Sequence, residues 1–198
     1  SDDNGVGLAV RGWNQTTDPS ENVTIRDNRF IDNSYGGVMV YNEGRPTLYN
    51  NWNITYNDVQ ESGAFVGIEL TNTINSSITH NTIVGGTFGI LGSAQSYSGV
   101  TVNAGNMTIA YNDISQSDSR NIYLIAGLMG GTGSASLSGV TIDHNELTDD
   151  QSSITVRQYT ATGATVSEVD ITNNIINISN PTADGSAVDL RDVHGDSL

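Results

Sequence analysis

A chain of 198 residues with 36% hydrophobic and only 15% charged residues holds enough apolar material for one domain with a buried core. Its net charge of −15, with all seven basic residues Arg, argues against partners made of phosphate or anionic lipid. There is no Cys, and no apolar run nears the roughly 20 residues that span a bilayer, so disulfides, thiolate chemistry and membrane-crossing helices are excluded.

With 22 Gly, 3 Pro and an excess of Asn, Ser and Thr, the chain favours strands and tight turns over helices. The first element is GLAV from Gly7, which reads as the second strand of a coil whose first half is missing. An eight-residue unit, apolar-x-Ile-x-x-Asn-x-apolar, follows as VTIRDNRF from Val23, WNITYNDV from Trp52 and SSITHNTI from Ser76. It returns as MTIAYNDI from Met107, VTIDHNEL from Val140 and VDITNNII from Val169. Successive Ile residues are 29, 24, 31, 33 and 29 positions apart. Each unit is followed by a second short strand: GVMV at Gly37, GIEL at Gly67, GIL at Gly89, NIYL at Asn121, SITV at Ser153 and AVDL at Ala187.

Period-2 alternation turns the apolar residues of each unit to one face, and Phe30, Val59, Ile83, Ile114, Leu147 and Ile176 point inward again after the Asn. One such strand cannot bury its face alone, whereas stacked coils build a continuous core. The expectation is an all-β, single-stranded parallel β-helix (a solenoid) of about six to seven coils, one domain over residues 1–198. Asn28, Asn57, Asn81, Asn112, Asn145 and Asn174 are expected at left-handed corners, their amides forming a ladder.

These eight-residue units resemble the right-handed parallel β-helix family of secreted carbohydrate-active and surface proteins, and the resemblance runs from about Gly5 to Val193. It implies either a non-catalytic surface module that binds carbohydrate or serves a structural role, or a polysaccharide lyase or uronan epimerase. Alginate epimerases of this fold carry Asp-Pro-His-Glu, whereas the nearest string here is Asp143-His144-Asn145-Glu146, without the Pro. Lyases with a catalytic Lys are excluded by the absence of Lys, and the strings typical of polygalacturonases do not occur.

In a solenoid, chemistry gathers in columns of equivalent positions. The residue before each repeat Asn is Asp27, Tyr56, His80, Tyr111, His144 and Asn173, so four consecutive coils place Tyr and His in one column. The position after the Asn carries Asp58, Asp113 and Glu146, while Asp143 precedes His144 on the opposite pleat. Tyr56, His80, Tyr111, His144, Asp58, Asp113, Asp143 and Glu146 are the candidate ligand-binding residues, for a polysaccharide or cell-surface glycan. His80, Tyr111 and His144 are the candidate proton-transfer groups if the chain is an enzyme. Such an enzyme also needs a cation at the uronate, either Arg or Ca²⁺ held by carboxylates; no metal site is assigned from the spacing.

Segments 41–51, 92–105, 125–139 and 157–167 read as long turns leaving the coil on one side, as walls of a groove. The end at Arg191-Asp192-Val193-His194 leaves little for a cap, so the chain is either a segment of a longer protein or a unit that associates end to end in a filament. Sequons at Asn14, Asn22, Asn53, Asn75, Asn106 and Asn177 suit an extracellular or cell-surface glycoprotein. The charge suits a salt-loving source, because at molar salt the Debye length falls to about 3 Å and self-repulsion fades.

Overall fold

The computed structural model of the chain describes residues 5–12, 21–42, 48–97, 99–128, 133–149, 152–159, 163–178 and 185–191. The backbone winds through three parallel sheets. Sheet A contains seven strands, ordered Val6–Gly12, Gly36–Asn42, Val66–Thr71, Phe88–Ser96, Arg120–Leu128, Ser152–Gln158 and Val188–Arg191. Sheet B contains six, Glu21–Arg26, Tyr49–Thr55, Thr73–Thr79, Thr101–Ala110, Ser134–Asp143 and Ala164–Thr172. Sheet C stacks the six short strands Arg29–Ile31, Asp58–Glu61, Thr82–Gly85, Asp113–Ser115, Glu146–Asp149 and Ile175–Ile178. Each strand pairs in parallel with its equivalent one coil away, so the chain is a β-solenoid. Among the described residues, no helix is long and apolar enough to cross a membrane.

The repeat Ile residues align in register, Ile25 with Ile54, Ile54 with Ile78, and on through Ile109 and Ile142 to Ile171. Those from Ile54 to Ile142 are fully buried, packed with Val59, Ile83, Ile114 and Leu147 of sheet C and with Ile68, Ile90, Ile122 and Ile154 of sheet A. Each such side chain taken wholly out of water contributes about 1.5–3 kcal/mol.

The turn between sheets B and C explains the Asn. Asn57 Nδ2 donates to Asn81 Oδ1 at 3.0 Å, Asn81 to Asn112 at 3.0 Å, Asn112 to Asn145 at 3.0 Å and Asn145 to Asn174 at 2.9 Å. The same Nδ2 groups donate to the carbonyl of the repeat Ile one coil back, as Asn112 does to Ile78 at 2.9 Å. Each Oδ1 also accepts the backbone N–H of the previous Asn, as from Asn81 to Asn112 at 3.0 Å. One amide thus satisfies main-chain groups that a dry corner would otherwise leave unpaired.

The corner conformation falls one residue earlier than the sequence pattern leads one to expect. The left-handed residues are Asp27, Tyr56, His80, Tyr111, His144 and Asn173, with φ between 51° and 57°. Asn28, Asn57, Asn81, Asn112 and Asn145 do not adopt positive φ. The reason is that the inward amide must aim along the stack, so its neighbour takes the bend. A second left-handed column, unforeseen, kinks sheet B at Asn22, Asn51, Asn75, Asn106, Gly139 and Glu168. Outward amides bridge coils there too, with Asn51 donating to Asn22 at 2.6 Å and Asn106 to Asn75 at 3.0 Å.

The expected long turns are also corrected. Segments 92–105, 125–139 and 157–167 are largely strand, leaving only 97–100, 129–133 and 159–163 between sheets A and B. Alternate residues there, Val102, Ala104, Ala135, Leu137, Ala164 and Val166, are buried, and that burial extends sheet B. Positions 43–47, 98, 129–132 and 160–162, the sequon at Asn14 and the end from Asp192 lie outside the described residues.

Replacing Asn112 with Ala strands the Ile78 carbonyl and the Asn81 amide in a dry corner. Each buried unsatisfied group costs about 1–3 kcal/mol, so the unfolding free energy should fall by about 3 kcal/mol, read as a lower denaturant midpoint at unchanged slope. Gly105→Ala should be at least as harmful: φ is 141° there, and a Cβ would collide with the Ser138 backbone.

Candidate functional site

The outward corner column is a continuous stack of rings. Tyr56 and His80 lie 4.8 Å apart between centroids, His80 and Tyr111 5.0 Å, and Tyr111 and His144 5.1 Å, with interplanar angles of 16–21°. The Arg26 guanidinium closes one end, 5.0 Å from the Tyr56 ring centre. Left-handed backbone is tolerable for His but costly for Tyr, and stacking along the coil axis offsets that cost. The faces of Tyr56, His80 and Tyr111 are therefore occupied by one another, by His144 and by Arg26, and the column turns edges to solvent, with Tyr56 and Tyr111 about half exposed. It offers hydroxyls and ring nitrogens to a ligand rather than aromatic faces.

Asp143 was expected on the opposite pleat from His144. The bend at His144 instead folds the two together, with Asp143 Oδ2 2.6 Å from His144 Nδ1. Asp143 Oδ1 accepts from Thr172 Oγ1 at 2.7 Å and Asn173 Nδ2 at 2.9 Å. The His144 bond first, then those from Asn173 and Thr172, hold the Asp143 carboxyl down at about 2.

The carboxylate column is in register along sheet C, Asp58 with Thr82, Thr82 with Asp113, and Asp113 with Glu146. Asp58 is taken by Arg29 Nε at 3.0 Å and by Gln60. Asp113 and Glu146 are exposed, with Thr82 separating them from Asp58. Among the described residues, no three His, Asp or Glu side chains converge as a metal ion would need.

A second feature lies on the outer face of sheet A, and the repeat unit gave no hint of it. Met39, Glu69 and Leu91 align as a floor, and Arg11, Tyr41, Thr71 and Ser93 align beside it. With Tyr35 and Phe65 at one edge and Gln95 and Tyr97 at the other, the floor residues, Arg11 and Tyr41 line a concavity of about 360 Å³, and Thr71 and Ser93 lie buried beneath. Tyr35 stacks on Phe65 at 5.5 Å, and Phe65 meets Phe88 edge-on at 5.3 Å. Further along, Arg120 lies over Tyr123 at 5.0 Å and Arg157 over Tyr159 at 4.6 Å.

The floor carries one buried carboxyl, Glu69, only 3% exposed. Thr71 Oγ1 donates to Glu69 Oε1 at 2.6 Å and lies 2.6 Å from Ser93 Oγ. Gln95 Nε2 donates to Ser93 Oγ at 3.2 Å, Tyr97 donates to Gln95 Oε1 at 3.3 Å, and Tyr41 lies 2.6 Å from Tyr97 between hydroxyls. Burial pushes the Glu69 carboxyl above the ordinary range, against the Thr71 bond and the Arg11 charge. The lone Glu in an otherwise apolar GIEL strand is the signal that could have exposed this face: alternation alone turns Met39, Glu69, Leu91 and Tyr123 outward.

Compared with known proteins, residues 13–191 match the right-handed β-helix region family, and the chain belongs to that family. No curated protein and no solved structure matches it significantly.

The Asp143 geometry fixes a pH effect. Its folded value of about 2 lies below the roughly 3.9 of an unfolded Asp, so its contribution is complete above about pH 4 and is lost as pH falls toward 2. Asp143→Asn should remove that component: acid unfolding curves between pH 5 and 1.5 should be shallower for the variant, and identical curves would show the Asp143–His144 contact to be absent in solution.

Proposed function

We propose that the chain is an extracellular β-helix surface module that binds carbohydrate, and that the binding site is the concavity on sheet A. The observation that carries this reading is the pairing of aromatic walls, Tyr35 and Phe65 against Tyr41 and Tyr97, across a floor holding a hydrogen-bonded carboxyl. Sugars bury C–H faces on aromatic rings and exchange hydroxyl hydrogen bonds with carboxylates, amides and phenols, and the concavity supplies both. A rigid sheet floor favours this task, because little order is lost on binding. The acidic composition agrees with an extracellular place.

A second reading, polysaccharide lyase or uronan epimerase, is favoured by one contact. The 2.6 Å bond from Asp143 fixes His144 through Nδ1, which directs the other ring nitrogen toward proton transfer, with Tyr111 stacked beside it.

Incubation with alginate, pectate and neutral glycans, with and without Ca²⁺, separates the two. Binding predicts retention without turnover, with Phe65→Ala weakening it about tenfold for the loss of one stacking surface. Elimination predicts new ultraviolet absorbance from an unsaturated uronide and its loss in His144→Ala. Retention unchanged by Phe65→Ala would move the binding site off sheet A.

A further inference from the structure

The hydrogen bonds on sheet A have a direction. Thr71 spends its one hydroxyl hydrogen on Glu69, so the short Thr71–Ser93 contact requires Ser93 to donate. Ser93 in turn accepts from Gln95 Nε2, and the Gln95 carbonyl accepts from Tyr97, so Tyr41 donates to Tyr97. Every donor in the row therefore points toward Glu69. The row occupies Oε1 alone; Oε2 has no hydrogen-bond partner among the described residues.

The electrostatics of the concavity are unlike those of the whole chain. Among the described residues its lining holds one cation, Arg11, and one carboxyl, Glu69, so these charges balance inside a molecule of net charge −15. Farther along this face, the guanidinium groups of Arg120 and Arg157 lie against Tyr123 and Tyr159, and that of Arg191 pairs with Asp189. A uronate entering here meets a carboxylate on the floor, and it can use Arg11 only by competing with Glu69. A neutral sugar meets no such opposition, and one of its hydroxyls can donate to Oε2, the oxygen that the row leaves open.

We propose that Glu69 is the specificity-determining residue of this concavity, accepting hydroxyl hydrogen bonds from a neutral saccharide and excluding acidic ones, with the row from Thr71 to Tyr41 holding it in place. This rests on the reading of sheet A as a carbohydrate site. The Glu69 carboxylate acts on ligand hydroxyls, and Thr71, Ser93 and Gln95 are positioning residues.

The test is calorimetric titration of the full chain at neutral pH with cellohexaose and maltohexaose as neutral probes and hexagalacturonate and hexaguluronate as anionic ones. The wild type is expected to bind a neutral probe at least tenfold more tightly than either uronate. Glu69→Gln keeps the volume and loses the charge; it should weaken neutral binding by roughly 10- to 100-fold, as for hydrogen bonds to a charged group, and narrow the discrimination against uronates. Gln95→Ala, at the rim, cuts the row without touching the core and should weaken neutral binding by several-fold, which keeps the test valid should the Glu69 variant not fold. Equal neutral binding by wild type and both variants overturns the role of Glu69 and leaves the carbohydrate reading standing. Tighter binding of a uronate by the wild type overturns the neutral selectivity. Binding of none of the four probes overturns the carbohydrate reading and this inference with it.

Discussion

The interaction on which the structure depends is the vertical hydrogen bonding of one coil to the next, and the buried row of corner amides is where it is most demanding. Within a flat sheet, parallel strands satisfy one another's backbone groups without help. At a corner the ladder breaks, and the polar groups there face a core of Ile and Val that offers them nothing. An Asn side chain has the right parts for the gap: a carbonyl for the N–H below and an N–H₂ for both the neighbouring amide and the Ile carbonyl one coil back. Because each amide serves its neighbours, the corners must stay in line, and the coils are held in register despite spacings that vary from 24 to 33 residues.

That registration has consequences on the outside. Since the amide must lie along the stack, the preceding residue takes the left-handed bend, and its side chain is thrown outward directly above its counterpart. Asp and Asn are at ease there; the Tyr and His residues are held by ring-on-ring contact. The same logic accounts for the Asn residues at the sheet B kink, where the backbone conformation alone explains why Asn22, Asn75 and Asn106 are Asn. Sheet A has neither requirement. Its outer face is free of corner constraints, which allows an irregular set of aromatic, aliphatic and polar side chains to form a concavity there.

A column of aligned rings and a surface that can hold a sugar are physically different things. Stacking at about 5 Å uses both faces of the inner rings, so alignment itself removes the surfaces that sugar C–H groups would cover. The sheet A concavity is lined by side chains of mixed chemistry: Tyr35 stacks on Phe65 at one edge, and Met39, Glu69 and Leu91 form the floor. Tyr41 and Tyr97 meet through their hydroxyls at the other edge, and parallel register sets Met39 and Leu91 on either side of Glu69.

Much of the fold was legible because a solenoid writes its tertiary structure into local period. The Ile positions, the inward residues after each Asn and the second strands all follow from alternation and repeat, since each coil meets only its neighbours. The candidate site was legible only in part. The Tyr/His column could be read from spacing, but not the bend that sets its ring faces together, nor the fold-back that joins Asp143 to His144, because a one-residue shift of the left-handed position leaves the sequence pattern unchanged. The sequence by itself determined which residues face the core and which stack on which, for every hydrophobic rung needs the next to escape water. Only the tertiary structure decided where the chain bends, how far sheets A and B extend and which outward side chains enclose space, because these depend on three-dimensional packing between coils that no linear period records.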